Sequence, residues 1–167
     1  MTEHEPAHVE GTDDQSTNHE EKELTIFDQP EGTDWFLSYL IGFADDLGSE
    51  LGITLVVGGT YLTGTLISGR TYFEELGAMM KKIGGQGTDN GLTSLGEQYE
   101  QFATLVPKLA ENEEWKPRPR AYIHLRNVKM LISENKFAPT TEAVLWRGKL
   151  SAVEGFIVGT MSIDPSL

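Results

Sequence analysis

Gly58-Gly59 stands between two runs whose apolar residues recur at every second position, and no other feature of the chain limits its fold as tightly. Upstream, Ile53, Leu55 and Val57 alternate with Thr54, Val56 and Gly58, and downstream comes Tyr61-Leu62-Thr63-Gly64-Thr65-Leu66-Ile67. A period of two belongs to a strand with one buried face. Paired glycines supply the positive φ that both central positions of a tight hairpin turn require. A β-hairpin is therefore expected, with Gly64 marking a bulge or sharp bend in its second strand.

Helical periodicity flanks the hairpin. Thr33 or Asp34 can cap a helix beginning at Trp35, with Phe36, Leu40, Phe43 and Leu47 on one face and Gly48 as its stop. Ser68 can cap a second helix, with Tyr72 or Phe73, Leu76, Met79 or Met80 and Ile83 on its buried side, that ends at Gly84-Gly85. Ser94 and Glu97 form a capping-box pattern for a third, with Leu95, Tyr99, Phe102, Leu105 and Val106, limited by Pro107. Lys116-Pro117-Arg118-Pro119-Arg120 reads as an extended, solvated connector, with contact to the acidic N-terminal segment of the same chain as the next option. Three strand candidates follow, 121–132, 143–150 and 156–162, the last two separated by a short turn over 151–155. The expected fold class is α+β, a five-stranded, strongly bent antiparallel sheet or small barrel of Sm-like or SH3-like order. An N-terminal helix precedes it, and a helical insert, 69–109, lies between strands 2 and 3. An open antiparallel sheet with helices on one face is the alternative.

Charge divides the chain in two. The formal net charge is −13, and residues 1–33 hold ten Asp or Glu against one Lys. The remainder has sixteen acids and twelve bases, so the acidity belongs to the N-terminal segment. Residues 1–32 are expected to be a disordered acidic tail, since their few apolar groups cannot offset the entropy of ordering. Leu24, Ile26 and Phe27 are the exception, a short apolar patch expected to dock on the domain, or else on a partner. Residues 33–167 are expected to form a single β-rich domain. With no cysteine there is no disulfide framework and no thiolate chemistry. The start of the chain carries no secretory pattern, and the longest apolar run, 35–44, is about half of what crosses a bilayer. A cytoplasmic protein with no membrane segment is expected.

Catalytic chemistry is sparse. His4, His8 and His19 lie in the acidic tail, where no scaffold holds coordination geometry, and His124 lies mid-strand without a visible acid or nucleophile to work with. Gly84–Gly91 lacks the Lys-Ser/Thr ending of a phosphate loop. Asp45 and Asp46 are adjacent on a helix, so their side chains diverge by about 100° and make no dyad. They read as solvated charges. Lys116, Arg118 and Arg120 give too little charge for firm nucleic-acid contact, and the folded part is net acidic. Trp146 reads as core and Arg147, on the opposite face, as an interface residue. No catalytic, cofactor or metal site is expected; the candidate interaction residues are His124, Arg126, Arg147, Ile157 and Met161, the last two on a possible edge strand that would allow homo-oligomers. An RNA-binding small barrel is the second reading of the same order of elements.

Three segments together resemble a known family: 58–68 leading to Tyr72-Phe73, then Tyr122-Ile123-His124-Leu125-Arg126-Asn127-Val128-Lys129, then 145–156 with Trp146-Arg147-Gly148-Lys149. Their order and spacing are similar to those of the gas vesicle accessory protein U family, GvpU. The resemblance implies a bacterial cytoplasmic protein associated with gas vesicles, the gas-filled shells that give buoyancy. It implies a non-catalytic role in vesicle formation or clustering, with the vesicle shell or other gas vesicle proteins as partners. The long acidic N-terminal segment departs from the family pattern.

Overall fold

The hairpin is where the glycines place it. Leu51–Val57 (β1) and Thr60–Ile67 (β2) pair antiparallel from Leu51 opposite Leu66 to Val57 opposite Thr60. Gly58 and Gly59 both have positive φ, 57° and 70°. The computed structural model describes residues 28, 31–85, 91–106, 109, 114–116, 118–133, 136–139 and 144–162. The acidic tail and the Leu24, Ile26 and Phe27 patch expected to dock lie outside the described residues.

Around the hairpin the elements run Trp35–Leu47 (α1), β1, β2, Gly69–Gly84 (α2), Gly91–Leu105 (α3), Tyr122–Ser133 (β3), Lys136–Ala138 (β4), Trp146–Lys149 (β5), a 3-10 turn at Leu150–Ala152, and Val153–Val158 (β6). The class is α+β, with three helices and one antiparallel sheet in the order β4-β3-β2-β1-β6, β5 also pairing with β3. The sheet has six strands and is not closed. The five-strand count and the small barrel are thereby corrected, and the Sm-like or SH3-like order goes with them. The cause is β3: at 12 residues it is long enough to pair twice along one edge. Its first half, Tyr122 to Leu125, takes β5, and its second half, Met130 to Ser133, takes β4. Between them Asn127 has a left-handed φ of 54°, which breaks the ladder. The three-residue β4 runs straight into Pro139 and gives no strand signal of its own.

The sheet curls. Lys149 lies beside Tyr122 on β3, and Val153 lies beside Val57 on β1, at opposite corners. Four strand spacings in a flat sheet would separate them by about 19 Å, while four residues reach at most about 14 Å. The expected hairpin between the last two strands is absent: β6 crosses to β1. The interior of the curl is one apolar cluster that includes Ile53 and Leu55 of β1, Leu62 and Leu66 of β2, Ile123 and Leu125 of β3, and Leu150 of the 3-10 turn. Helix α1 closes it with Leu37, Ile41 and Ala44. That stripe replaces the expected Phe36/Leu40/Phe43/Leu47 face; Phe36 and Leu47 are exposed. Asp34 caps α1 by accepting from the N–H groups of Phe36 and Leu37, and Gly48, in the left-handed region, ends it. Burial of each Leu or Ile contributes roughly 2 kcal/mol, so this cluster outweighs every exposed ion pair.

Gly64 breaks the β2–β3 register between Thr63 and Thr65, as its position in the strand foretold. A Cβ there would lie 2.9 Å from the Arg126 carbonyl oxygen. Helix α2 is capped by Ser68, whose Oγ accepts from the Thr71 N–H at 2.9 Å. Helix α3 starts at Gly91, so Ser94 sits inside it and not at its cap. The two helices meet at glycines: a Cβ on Gly77 would fall 2.6 Å from the Gly96 carbonyl oxygen, and one on Gly96 would fall 2.7 Å from that of Gly77.

Candidate functional site

With the apolar residues turned inward, alternate residues of β1, β2, β3 and β5 face outward, and the sequence-derived candidates fall on this outer side. His124 is 7% exposed, in register with Arg147 of β5 and Ile67 of β2. The root of α2 covers it. Its ring lies 4.9 Å from that of Tyr72 and 6.2 Å from that of Phe73, and its Cε1 would be 3.2 Å from a Cβ on Gly69. Neither ring nitrogen has a hydrogen-bond partner. Burial, with the Arg147 charge adding to it, lowers the His124 pKa from 6.5 to about 4. The imidazole is thus neutral at pH 7 and packed as an aromatic, and no described carboxylate or hydroxyl is hydrogen-bonded to it to exchange its proton. Burial also raises the Tyr72 phenol above its ordinary value.

Arg126 is spent on charge pairing, with Nη1 2.7 Å from Glu75 Oε1 of α2 and Nη2 2.5 Å from Glu50 Oε2. The Glu75 hydrogen bond is the largest cause of its raised pKa. Arg147 is exposed and lies over Tyr122, its Cζ 3.5 Å from the ring centroid. The structure thus sets His124 and Arg147 side by side across β3 and β5, while Arg126, two residues along β3, is paired with Glu50 and Glu75.

Ile157 belongs to the opposite edge, whereas Met161, expected on the same strand, lies beyond it because β6 ends at Val158. Ile157, on β6 opposite Thr54, is 52% exposed, as is its neighbour Val158. Met161 is 38% exposed, and its N–H donates to Thr63 Oγ1 at 2.9 Å. Thr54 Oγ1 donates to the Gly159 carbonyl at 2.9 Å and lies 3.1 Å from the Thr63 hydroxyl. These two buried threonines pin residues 159–161 across the hairpin and leave a shallow cleft of about 320 Å³ lined by Thr63, Thr65, Asn127, Lys129, Thr160 and Met161 among others.

A buried ionic joint lies at the far end of α1, where solvated charges were expected. Asp46 is 7% exposed and accepts from Arg120 Nη2 at 2.5 Å and from Trp115 Nε1 at 3.2 Å. Asp45 accepts from the Gly69 N–H at 2.8 Å and lies 3.7 Å from Arg120 Nη1. Burial holds the Asp45 carboxyl above its usual range, with the Gly69 amide and then Arg120 drawing it back. Both aspartates, and Arg120 of the supposedly solvated connector, are corrected to partly or fully buried positions. Trp115 packs on Tyr39 and Phe43 at centroid distances of 5.1 and 4.9 Å, strapping 115–120 across α1. Two adjacent helical aspartates give no sign in sequence of a partner some 74 residues away.

Among the described residues no three His, Asp or Glu side chains converge as a metal site would need. No described helix is long and apolar enough to cross a membrane.

A family model described as gas vesicle protein GvpU-like matches residues 34–161. That span runs from the α1 cap to Met161 and takes in the helical insert. No curated protein and no solved structure matches the chain.

Proposed function

The chain belongs to the gas vesicle GvpU-like family, and from that premise we propose that it is a non-catalytic accessory protein that regulates gas vesicle assembly or clustering through protein-protein contacts. Its partners are the vesicle shell or other gas vesicle proteins, and it acts in the cytoplasm on the vesicle surface. The observation that carries this reading is the family match itself, which spans the described sheet and all three helices.

The state of the two residues nearest to a catalytic pair also supports it. His124 packs against aromatic rings, and Arg126 is neutralised by Glu50 and Glu75. Apolar side chains exposed on β6, Ile157 and Val158, are suited to a contact of the edge-strand kind. Weak contacts of this sort, repeated over a large shell, gain avidity without any single strong site.

Flotation tests the proposal. Gas vesicles floated from cells expressing the protein at native level should carry it, and Ile157→Lys should reduce the floated fraction severalfold. Its absence from the floating layer would overturn the assignment.

A further inference from the structure

The outer corner formed by β3 and β5 carries a positive charge that nothing in the described domain balances. Tyr122 is in register with Lys149 and His124 with Arg147, so four side chains share one patch. Arg147 and Lys149 are both exposed, and Tyr122 is 36% exposed. By contrast Arg126 meets two carboxylates, Glu50 and Glu75, and Arg120 likewise meets Asp45 and Asp46. No carboxylate among the described residues pairs with Arg147 or Lys149. The Arg147 Cζ lies 3.5 Å from the Tyr122 ring centroid, and a guanidinium stacked on an aromatic ring still has N–H groups along its edge to donate. That edge is the geometry in which arginine accepts a carboxylate.

The missing negative charge is abundant in the same chain. Residues 1–33 hold ten acids and one lysine, and the densest run, Glu20-Glu21-Lys22-Glu23, lies eleven residues before the α1 cap at Asp34. The point of attachment is close to the patch. One turn into α1, Ser38 Oγ accepts the Arg120 N–H at 3.2 Å, and Arg120 is two residues from Tyr122. The path from Asp34 to Tyr122 is therefore roughly 15 Å, while eleven residues can span up to about 40 Å. A tethered ligand held so near its site binds at high effective concentration, even through few contacts.

We propose that the acidic run Glu20–Glu23 docks on the Tyr122, Arg147 and Lys149 corner of its own chain, its carboxylates meeting the edge of the Arg147 guanidinium and the Lys149 ammonium. This self-contact stands independently of the gas vesicle reading. It places a removable acidic cover over one of the exposed basic patches of the domain.

The chain has no cysteine, so Ser16→Cys in the full chain accepts a single nitroxide label. Amide signals of Tyr122, Arg147 and Lys149 should broaden severalfold more than those of Ile157 and Val158 at about 0.02 M salt. The broadening should fade at about 0.5 M, where screening is short-ranged. It should also vanish in the exposed double variant R147Q/K149Q, which leaves the core untouched. Equal broadening on both edges, broadening that survives R147Q/K149Q, or none at all would overturn the proposal. So would broadening that appears only when labelled chains are mixed with separate isotope-enriched ones, since the contact would then join two molecules.

Discussion

The ionic joint at the end of α1 and the root of α2 both fasten one segment to another, the first the 115–120 strap to α1 and the second α2 to the sheet, by opposite means. At the joint, Asp45, Asp46, Arg120 and Trp115 bury charge and give each carboxylate at least one hydrogen bond or opposite charge. At the root, His124 is buried with both ring nitrogens unpartnered. Burial alone sets neither outcome. A carboxylate surrounded by donors can keep its charge, whereas an imidazole among rings gives its proton up. The joint is thus dear to break, and the root is sensitive to acid.

Arg120→Met tests the joint most severely. With its cation gone, Asp46 keeps only the Trp115 indole and Asp45 only the Gly69 amide, two carboxylates without a counter-charge, and stability to urea should fall by about 3–5 kcal/mol. Adding Asp46→Asn should recover part of the loss. A fall below about 1 kcal/mol would put the joint on a par with a surface pair.

Acid tests the root. The His124 pKa is about 4 folded against an ordinary 6.5, so the folded state binds fewer protons than the unfolded state between those values. Its contribution is complete above pH 6.5 and declines as pH falls toward 4. The total change is on the order of 3 kcal/mol. Equilibrium unfolding of His124→Leu should show that part of the acid slope removed, with stability at pH 7 equal or raised, because the leucine leaves no unpaired nitrogen. An unchanged slope would mean that other groups govern acid sensitivity.

A change confined to the helical hairpin sharpens the same contrast. Gly96→Ala forces a Cβ against Lys81 Cγ and the Gly77 carbonyl, at an expected cost of about 1–3 kcal/mol. Hydrogen exchange should quicken in α2 and α3 while β1 and β2 keep their protection. The smallest effect is expected from Asp34→Ala, about 1 kcal/mol for the lost cap of α1, read from a thermal midpoint.

How much of this was legible depended on how local the signal was. The Gly58-Gly59 turn, the Ser68 cap and the break at Gly64 all rest on short-range backbone chemistry, and all three are present. The buried face of α1 was misread because the aromatic stripe Phe36, Phe43 looks more apolar than Leu37, Ile41 and Ala44. Aromatics there pack sideways on Trp115 and Phe156. The strand count failed on β4, whose three residues carry no periodicity. Of the candidate site, the positions His124 and Arg147 were visible as outward strand residues, while their surroundings were not. Tyr72, Tyr122 and the Asp45/Asp46/Arg120 joint come from tertiary contacts, which a pattern of single residues does not encode.

The crossing from β5 to β6 has a consequence in time. β1 is complete at Val57, yet the strand that pairs with its free edge begins only at Val153. At about 5–20 residues per second, a ribosome takes on the order of ten seconds to make the stretch between them. Throughout that interval the nascent hairpin holds an unsatisfied edge, with Ile53, Leu55 and Val57 behind it, which other nascent chains can pair with. Pairing between strands so distant is also intrinsically slow. For this protein the vulnerable moment is therefore during synthesis, before its last strand arrives.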